Sequence, residues 1–186
     1  MDPAPDPSVD PDETHPVGPR PGRSTIGLFL VVVLVVLAID QVTKVLAVER
    51  LAGREPIELV PGFLSLTFLR NPGAAFGLGT SMTVLLSLVA VVVCVVVARM
   101  APRLRDRGWT IALALLLAGA LGNLSDRLFR EPGFLRGHVV DFIDYNGWFV
   151  GNVADIALTV AAVLVVWRSW RGVGLDGTRD DTEADA

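Results

Sequence analysis

The sequence predicts an all-α integral membrane protein: four transmembrane helices with a small β-sheet lying at one membrane surface. Three observations carry this. Apolar residues make up 52% of the 186-residue chain and fall into four long runs, each near the length a helix needs to cross a bilayer. The connections after the first and third runs are broken by proline and glycine, whereas no run contains proline. The few ionisable residues inside the runs fall at similar depths.

Residues 1–23 carry seven prolines and five acids, with almost no large apolar side chain. This predicts a disordered tail and not a signal peptide, because the apolar run begins only after residue 24 and no small-residue cleavage site follows it. The first span is predicted at 25–48 (TIGLFLVVVLVVLAIDQVTKVLAV). Its β-branched residues would favour a strand in water, but in lipid a lone segment satisfies its backbone only as a helix. Asp40 and Lys44 interrupt it at i, i+4, acid first, the favourable order for a pair. In residues 51–80, Leu64, Leu66 and Phe68 alternate with Ser65 and Thr67, the period-two pattern of a half-exposed strand. RNPGAAFG then turns into the second span, 82–99. An arginine-rich loop leads to the third span, 109–128. Residues 129–148 form a second connection, and the fourth span covers 149–170, with Trp167 and Trp170 at an interface. Residues 172–186 read as a disordered acidic tail.

Four spans place both termini on one side, together with the loop carrying Arg99, Arg103, Arg105 and Arg107. The positive-inside rule makes that side cytoplasmic and puts the sheet outside. The net charge of −4, much of it from the tails, indicates no nucleic-acid partner. Cys94 is the only cysteine, so an internal disulfide is excluded, and no HExxH zinc motif is present. No metal or other cofactor is expected.

The polar groups converge on one level. At ~1.5 Å of rise per residue, Asp40 lies roughly 24 Å beyond Ser24, Asn123 roughly 21 Å beyond Trp109, and Asp155 roughly 18 Å from Trp167, all in the outer half of a core about 30 Å thick. Asn71 precedes the second span on the same side. Asn152 and Asp155 share a face at i, i+3, as do Asn123 and Arg127 at i, i+4. A carboxylate at bilayer depth is expensive and marks function by default. Asp155 is the hardest to explain otherwise. Asp40 with Lys44 reads either as an ion pair holding the bundle or as part of a site. Asn123, Asp126 and Arg127 read either as site residues or as a helix end with a local salt bridge. Asp144, in DYNG, reads as a solvated turn acid.

Five blocks in this order, DQVTK (40–44), RNPGAAFG (70–77), GALGNLSDR (119–127), HVVDFI (138–143) and GNVAD (151–155), together resemble the type II signal peptidases, the lipoprotein signal peptidases of bacteria. The likeness covers residues 25–170. It implies an aspartyl endopeptidase of the plasma membrane that cuts prolipoproteins before a cysteine bearing a diacylglyceryl group. Asp141 and Asp155 would be the catalytic pair. Asp40, Lys44, Asn71, Gly73, Asn123, Arg127 and Asn152 would support them or the substrate. It further implies a peptidase domain over 24–171, working as a monomer among membrane lipids, with a sheet cradle and a short extracytoplasmic helix within 129–140. Two departures are visible: Gly151 stands where the family usually has phenylalanine, and the connection from Asp141 to Asp155 is short. Two carboxylates facing each other would share a proton and activate a water. A small transporter would also use intramembrane charges, but would spread them through the bilayer, and here the cytoplasmic halves of the spans are almost purely apolar. A structural subunit would rely on small-residue packing faces, which Ala118 and Gly119 allow. The GxGD block of presenilin-like proteases is absent.

Overall fold

The computed structural model describes residues 25–73 and 80–178. The tail at 1–23 with Ser24, the AAFG half of RNPGAAFG with the two positions after it (74–79), and the last eight positions lie outside the described residues. The chain runs α1 (Ile26–Leu51), β1 (Ile57–Val60), β2 (Leu64–Asn71), α2 (Thr80–Met100), a 3₁₀ turn (Ala101–Arg103), α3 (Arg107–Phe129), β3 (Val139–Asp144), β4 (Val150–Gly151) and α4 (Val153–Trp170). The four α-helices are each long and apolar enough to cross a membrane.

α3 is the axis of the bundle and contacts the other three helices. Its sequence explains this. Ala112, Ala114, Ala118, Gly119, Ala120 and Gly122 are all buried, and small residues let helix backbones approach closely where lipid leaves no hydrophobic force between helices. A methyl group on Gly119 would lie 2.7 Å from the Ala154 carbonyl oxygen, and one on Gly122 would lie 2.5 Å from Asp40 Oδ2. α1, by contrast, presents Leu30, Val31, Leu34, Val35 and Val42 to the exterior, an apolar face too extensive for water.

Two apolar clusters bracket a polar layer. One joins Phe29 and Val33 of α1 to Val97, Leu104, Leu113 and Leu117. The other joins Ala47 and Leu51 to Val140 and Phe142. Asp40, Lys44, Asn123 and Asp126 are buried between them.

The sheet is antiparallel in the order β1-β2-β3-β4. The predicted period-two strand is β2, and its Leu66 and Phe68 pack on the second cluster. The sheet is larger than the 51–80 segment alone, because the VVDFID stretch pairs with β2 from Ser65↔Asp144 to Asn71↔Val139. Burial on both faces hid this strand in sequence: Val139 to Phe142 are all buried, the acid Asp141 included, so no regular apolar–polar alternation marks them.

Three expectations are corrected. α4 begins at Val153, not at 149, because Val150–Gly151 pair with β3 and Asn152 caps the helix. The short helix expected within 129–140 is not formed: after Phe129 the chain makes turns through Leu135, at φ 62°, before entering β3. Pro132 and two glycines, at 133 and 137, disfavour helix there. Residues 172–178 are not a loose tail. Val173 is buried, Trp109 Nε1 donates to its carbonyl at 2.6 Å, and the Arg105 and Asp106 amides donate to the Leu175 carbonyl.

Candidate active site

β3 and the start of α4 bring the two predicted aspartates together. Alternation along β3 sends Val140 and Phe142 into the apolar cluster and turns Asp141 to the opposite face. Asp155 sits in the first turn of α4, the end of a helix that best tolerates negative charge. Each oxygen of each carboxylate accepts a hydrogen bond from an N–H group. Asp141 Oδ1 accepts from Asn152 Nδ2 at 2.6 Å and Oδ2 from Asn71 Nδ2 at 2.8 Å. Asp155 Oδ1 accepts from Asn123 Nδ2 at 2.9 Å and Oδ2 from the Asn152 backbone amide at 3.0 Å.

The three asparagines have their amides oriented by the remaining partners. The Gly73 amide donates to Asn71 Oδ1 at 2.8 Å, which leaves the Asn71 NH₂ for Asp141. Gly73 does this at φ 96°, a backbone state that favours glycine. The Asp155 amide donates to Asn152 Oδ1 at 3.2 Å, completing a capping box. Lys44 Nζ donates to Asn123 Oδ1 at 3.0 Å, so the Asn123 NH₂ faces Asp155. An ammonium has no acceptor, which fixes the Asn123 amide without ambiguity.

Asp40 and Lys44 resolve into both of the roles open to them. Lys44 Nζ lies 3.0 Å from Asp40 Oδ2 and 3.0 Å from Asp126 Oδ2, all three side chains buried. Asp40 Oδ1 accepts the Ala154 amide of α4 at 2.9 Å. The pair therefore holds the bundle, and through Asn123 it also orients a group on Asp155. Arg127 does not reach either carboxylate by hydrogen bond. It donates to the Asn123 carbonyl at 3.2 Å, and its buried Nε has no partner among the described residues. Asp144 is a turn acid, accepting the Gly147 amide at 2.7 Å.

Asp126, which spacing leaves open between a site residue and a local salt bridge, is central. Its Oδ2 also accepts the Val140 amide at 3.1 Å, beside Asp141, while Arg130 Nε lies 2.6 Å from Oδ1. The signal available in sequence was its place one turn beyond Asn123 on the same face. Thr83 and Ser87 were missed. Thr83 donates to the Pro72 carbonyl and Ser87 Oγ to that of Leu135 at 2.9 Å, clasping both connections to α2.

Burial sets the chemistry of Asp141. It lifts the carboxyl from its ordinary 3.8 to about 6. The Asn71 amide opposes the shift, the Asp155 charge reinforces it, and Asn152 and Lys44 oppose it. Among the described residues no cluster of His, Cys, Asp and Glu could hold a metal.

Comparison with known proteins finds relatives over most of the chain. The profile of signal peptidase (SPase) II matches residues 32–171. The chain is 45% identical to a lipoprotein signal peptidase of Rhodococcus jostii over 174 residues, covering 94% of this chain and 87% of the relative. It is 43% identical to one from Streptomyces coelicolor over 157 residues, covering 84% and 77%. A solved structure of a bacterial membrane enzyme is similar at a TM-score of 0.70 and 26% identity, over 90% of this chain and 97% of that one. With its described helices, its sheet and its profile match in agreement, the chain belongs to the signal peptidase II family.

Proposed function

We propose that this multi-pass membrane peptidase removes signal peptides from prolipoproteins by aspartic catalysis, with Asp141 and Asp155 as the dyad and the cut placed before a diacylglyceryl-modified cysteine. The observation that carries the reading is the shared Asn152. Its side chain donates to Asp141 and its backbone amide to Asp155, so one residue ties the two carboxylates together. Asp141, lifted to about 6 by burial, is the member suited to take the proton of the pair. Asp155 then accepts a proton from water as the water oxygen attacks the scissile carbonyl. Asp141 donates its proton to the carbonyl oxygen, stabilising the developing charge. On collapse the C–N bond breaks, the proton held by Asp155 passes to the leaving amine of the cysteine, and a hydroxyl proton of the diol returns to Asp141, which restores the pair.

Asn71, Gly73, Asn123, Asn152, Asp40 and Lys44 position the dyad. Arg127, with a free N–H on a buried side chain, supplies positive charge close by. The sheet and dyad belong to the extracytoplasmic side of the plasma membrane, where a lipidated cysteine held in the outer leaflet would meet them. Both termini then face the cytoplasm, and the peptidase works as a monomer surrounded by lipid.

The test is cleavage of a diacylglyceryl-modified prolipoprotein by purified protein in detergent. Asp141→Asn and Asp155→Asn should each lower kcat/KM by about 10²–10⁴-fold, with Asp144→Asn close to unchanged. Normal turnover by either folded dyad variant would sink the assignment.

A further inference from the structure

β4 is the last strand of the sheet order, so one of its edges is open. The hydrogen-bond phase of the β3–β4 hairpin identifies which groups occupy that edge. The Tyr145 amide donates to the Phe149 carbonyl at 2.8 Å. In an antiparallel pair, bonded and non-bonded positions alternate. Since Ile143 pairs with Gly151 and Asp144 with Val150, Gly151 directs its amide and carbonyl toward Ile143. Val150 directs both of its groups outward, where no described strand meets them.

Over the face of this hairpin and the first turns of α4 lies a cavity of about 390 Å³, lined by Tyr145, Phe149, Gly151, Asp155, Ile156 and Val160 among others. The Asp155 side of the dyad therefore forms part of its wall. The Phe149 ring stacks on Tyr145 with centroids 6.1 Å apart. It occupies the room a side chain at 151 would need: a methyl group there would lie 2.5 Å from Phe149 Cε1 and 3.0 Å from Asp155 Oδ2. Glycine at 151 is what lets an aromatic ring stand this close to the carboxylate.

We propose that the open edge of β4 and this cavity form a subsite for the signal peptide, with Phe149 as its specificity-determining wall. An extended peptide adds to a sheet edge through main-chain hydrogen bonds and seats alternate side chains in neighbouring pockets. Here Val150 supplies the amide and carbonyl, and the cavity takes one apolar side chain preceding the cleaved bond. A peptide is the occupant, not an acyl chain, because a hydrocarbon chain has nothing to offer the outward amide and carbonyl of Val150. The inference rests on Asp155 being half of the dyad, since that is what makes the neighbouring cavity part of the substrate path.

The experiment uses full-length protein in detergent and a set of diacylglyceryl-modified prolipoproteins. In these, each of the four residues before the lipidated cysteine is changed in turn among alanine, leucine and tryptophan. A second set varies only the acyl length. Wild type should discriminate against tryptophan at one of the four positions. Phe149→Ala should raise the tryptophan-to-leucine ratio of kcat/KM there by about 10-fold, the scale on which pocket volume discriminates. Gly151→Leu should lose activity through collision with the ring, and Gly151→Leu/Phe149→Ala should recover it, with melting temperatures reporting that both are folded. An unchanged ratio in Phe149→Ala, or a change that follows acyl length instead of side-chain size, overturns the proposal. Failure of the dyad shows separately, as an Asp155→Asn variant that cleaves normally.

Discussion

At the scale of single residues, the hydrogen-bond donors on Asp141 and Asp155 among the described residues are amides. Asparagine both donates and accepts, so each of Asn71, Asn123 and Asn152 is held at one end and orients an aspartate with the other. Sequence spacing could name these residues, but not which of their atoms faces which acid. It could name Asp155 as an intramembrane acid, but not that it serves in a capping box. The Asp141 shift has a testable sign. The folded carboxyl titrates near 6 and the free group near 3.8, so the folded chain holds the proton between those values. The resulting stabilisation is complete below about 3.8 and is lost as pH rises through about 6, an upper limit of roughly 3 kcal/mol. Melting curves from pH 4 to 7.5 should therefore show wild type losing stability relative to Asp141→Asn across that window. A constant difference between the two would refute the shift.

At the scale of elements, most of the site's precision comes from where α4 begins. Its first N–H groups are satisfied by Asp40 from across the bundle and by Asn152 from its own cap. Sequence reasoning placed the start of this helix too early, because Phe149 and Val150 are as apolar as the span they precede. Only pairing with β3 makes Val150–Gly151 a strand. The α1–α3 contact is equally exacting. Gly122 faces Asp40 Oδ2 with no room for a methyl group, so Gly122→Ala should push Asp40 off the Ala154 amide. The expected cost is about 1–3 kcal/mol, in the range of overpacked cores, read as a lowered melting temperature with a loss of activity in the same variant. A variant as stable and active as wild type would mean that the helices shift freely at this point.

At the scale of the whole molecule, the polar layer lies toward the sheet end of the bundle, and the arginine-rich connection between α2 and α3 lies at the other. Impermeant thiol labelling of intact cells gives the orientation directly, with Cys94 first replaced by alanine. A cysteine placed at Glu58 in β1 should be labelled from outside, and one at Arg103 should be labelled only after permeabilisation. The reverse pattern would place the sheet in the cytoplasm and remove the proposed access of lipidated substrate. This scale is the most legible in sequence: the four apolar helices follow from hydropathy, the level along them at which polar groups gather from helix rise, and part of the sheet from the alternation at 64–68.

Hydropathy and helix rise give four helices apolar enough to cross a membrane and one level along them where polar groups gather, because a bilayer imposes one length and one backbone solution on any segment that crosses it. The sequence by itself also named the two aspartates and most of their supporting residues, through their spacing and their family resemblance. Only the tertiary structure decided that VVDFID is the strand carrying Asp141. It also decided that Asp126 joins Lys44 and β3, and that Phe149 stands over Gly151 beside Asp155. The first two outcomes depend on segments that meet across more than ten residues of chain, and the third on the hairpin that folds Phe149 back over Gly151; neither periodicity nor composition encodes such meetings.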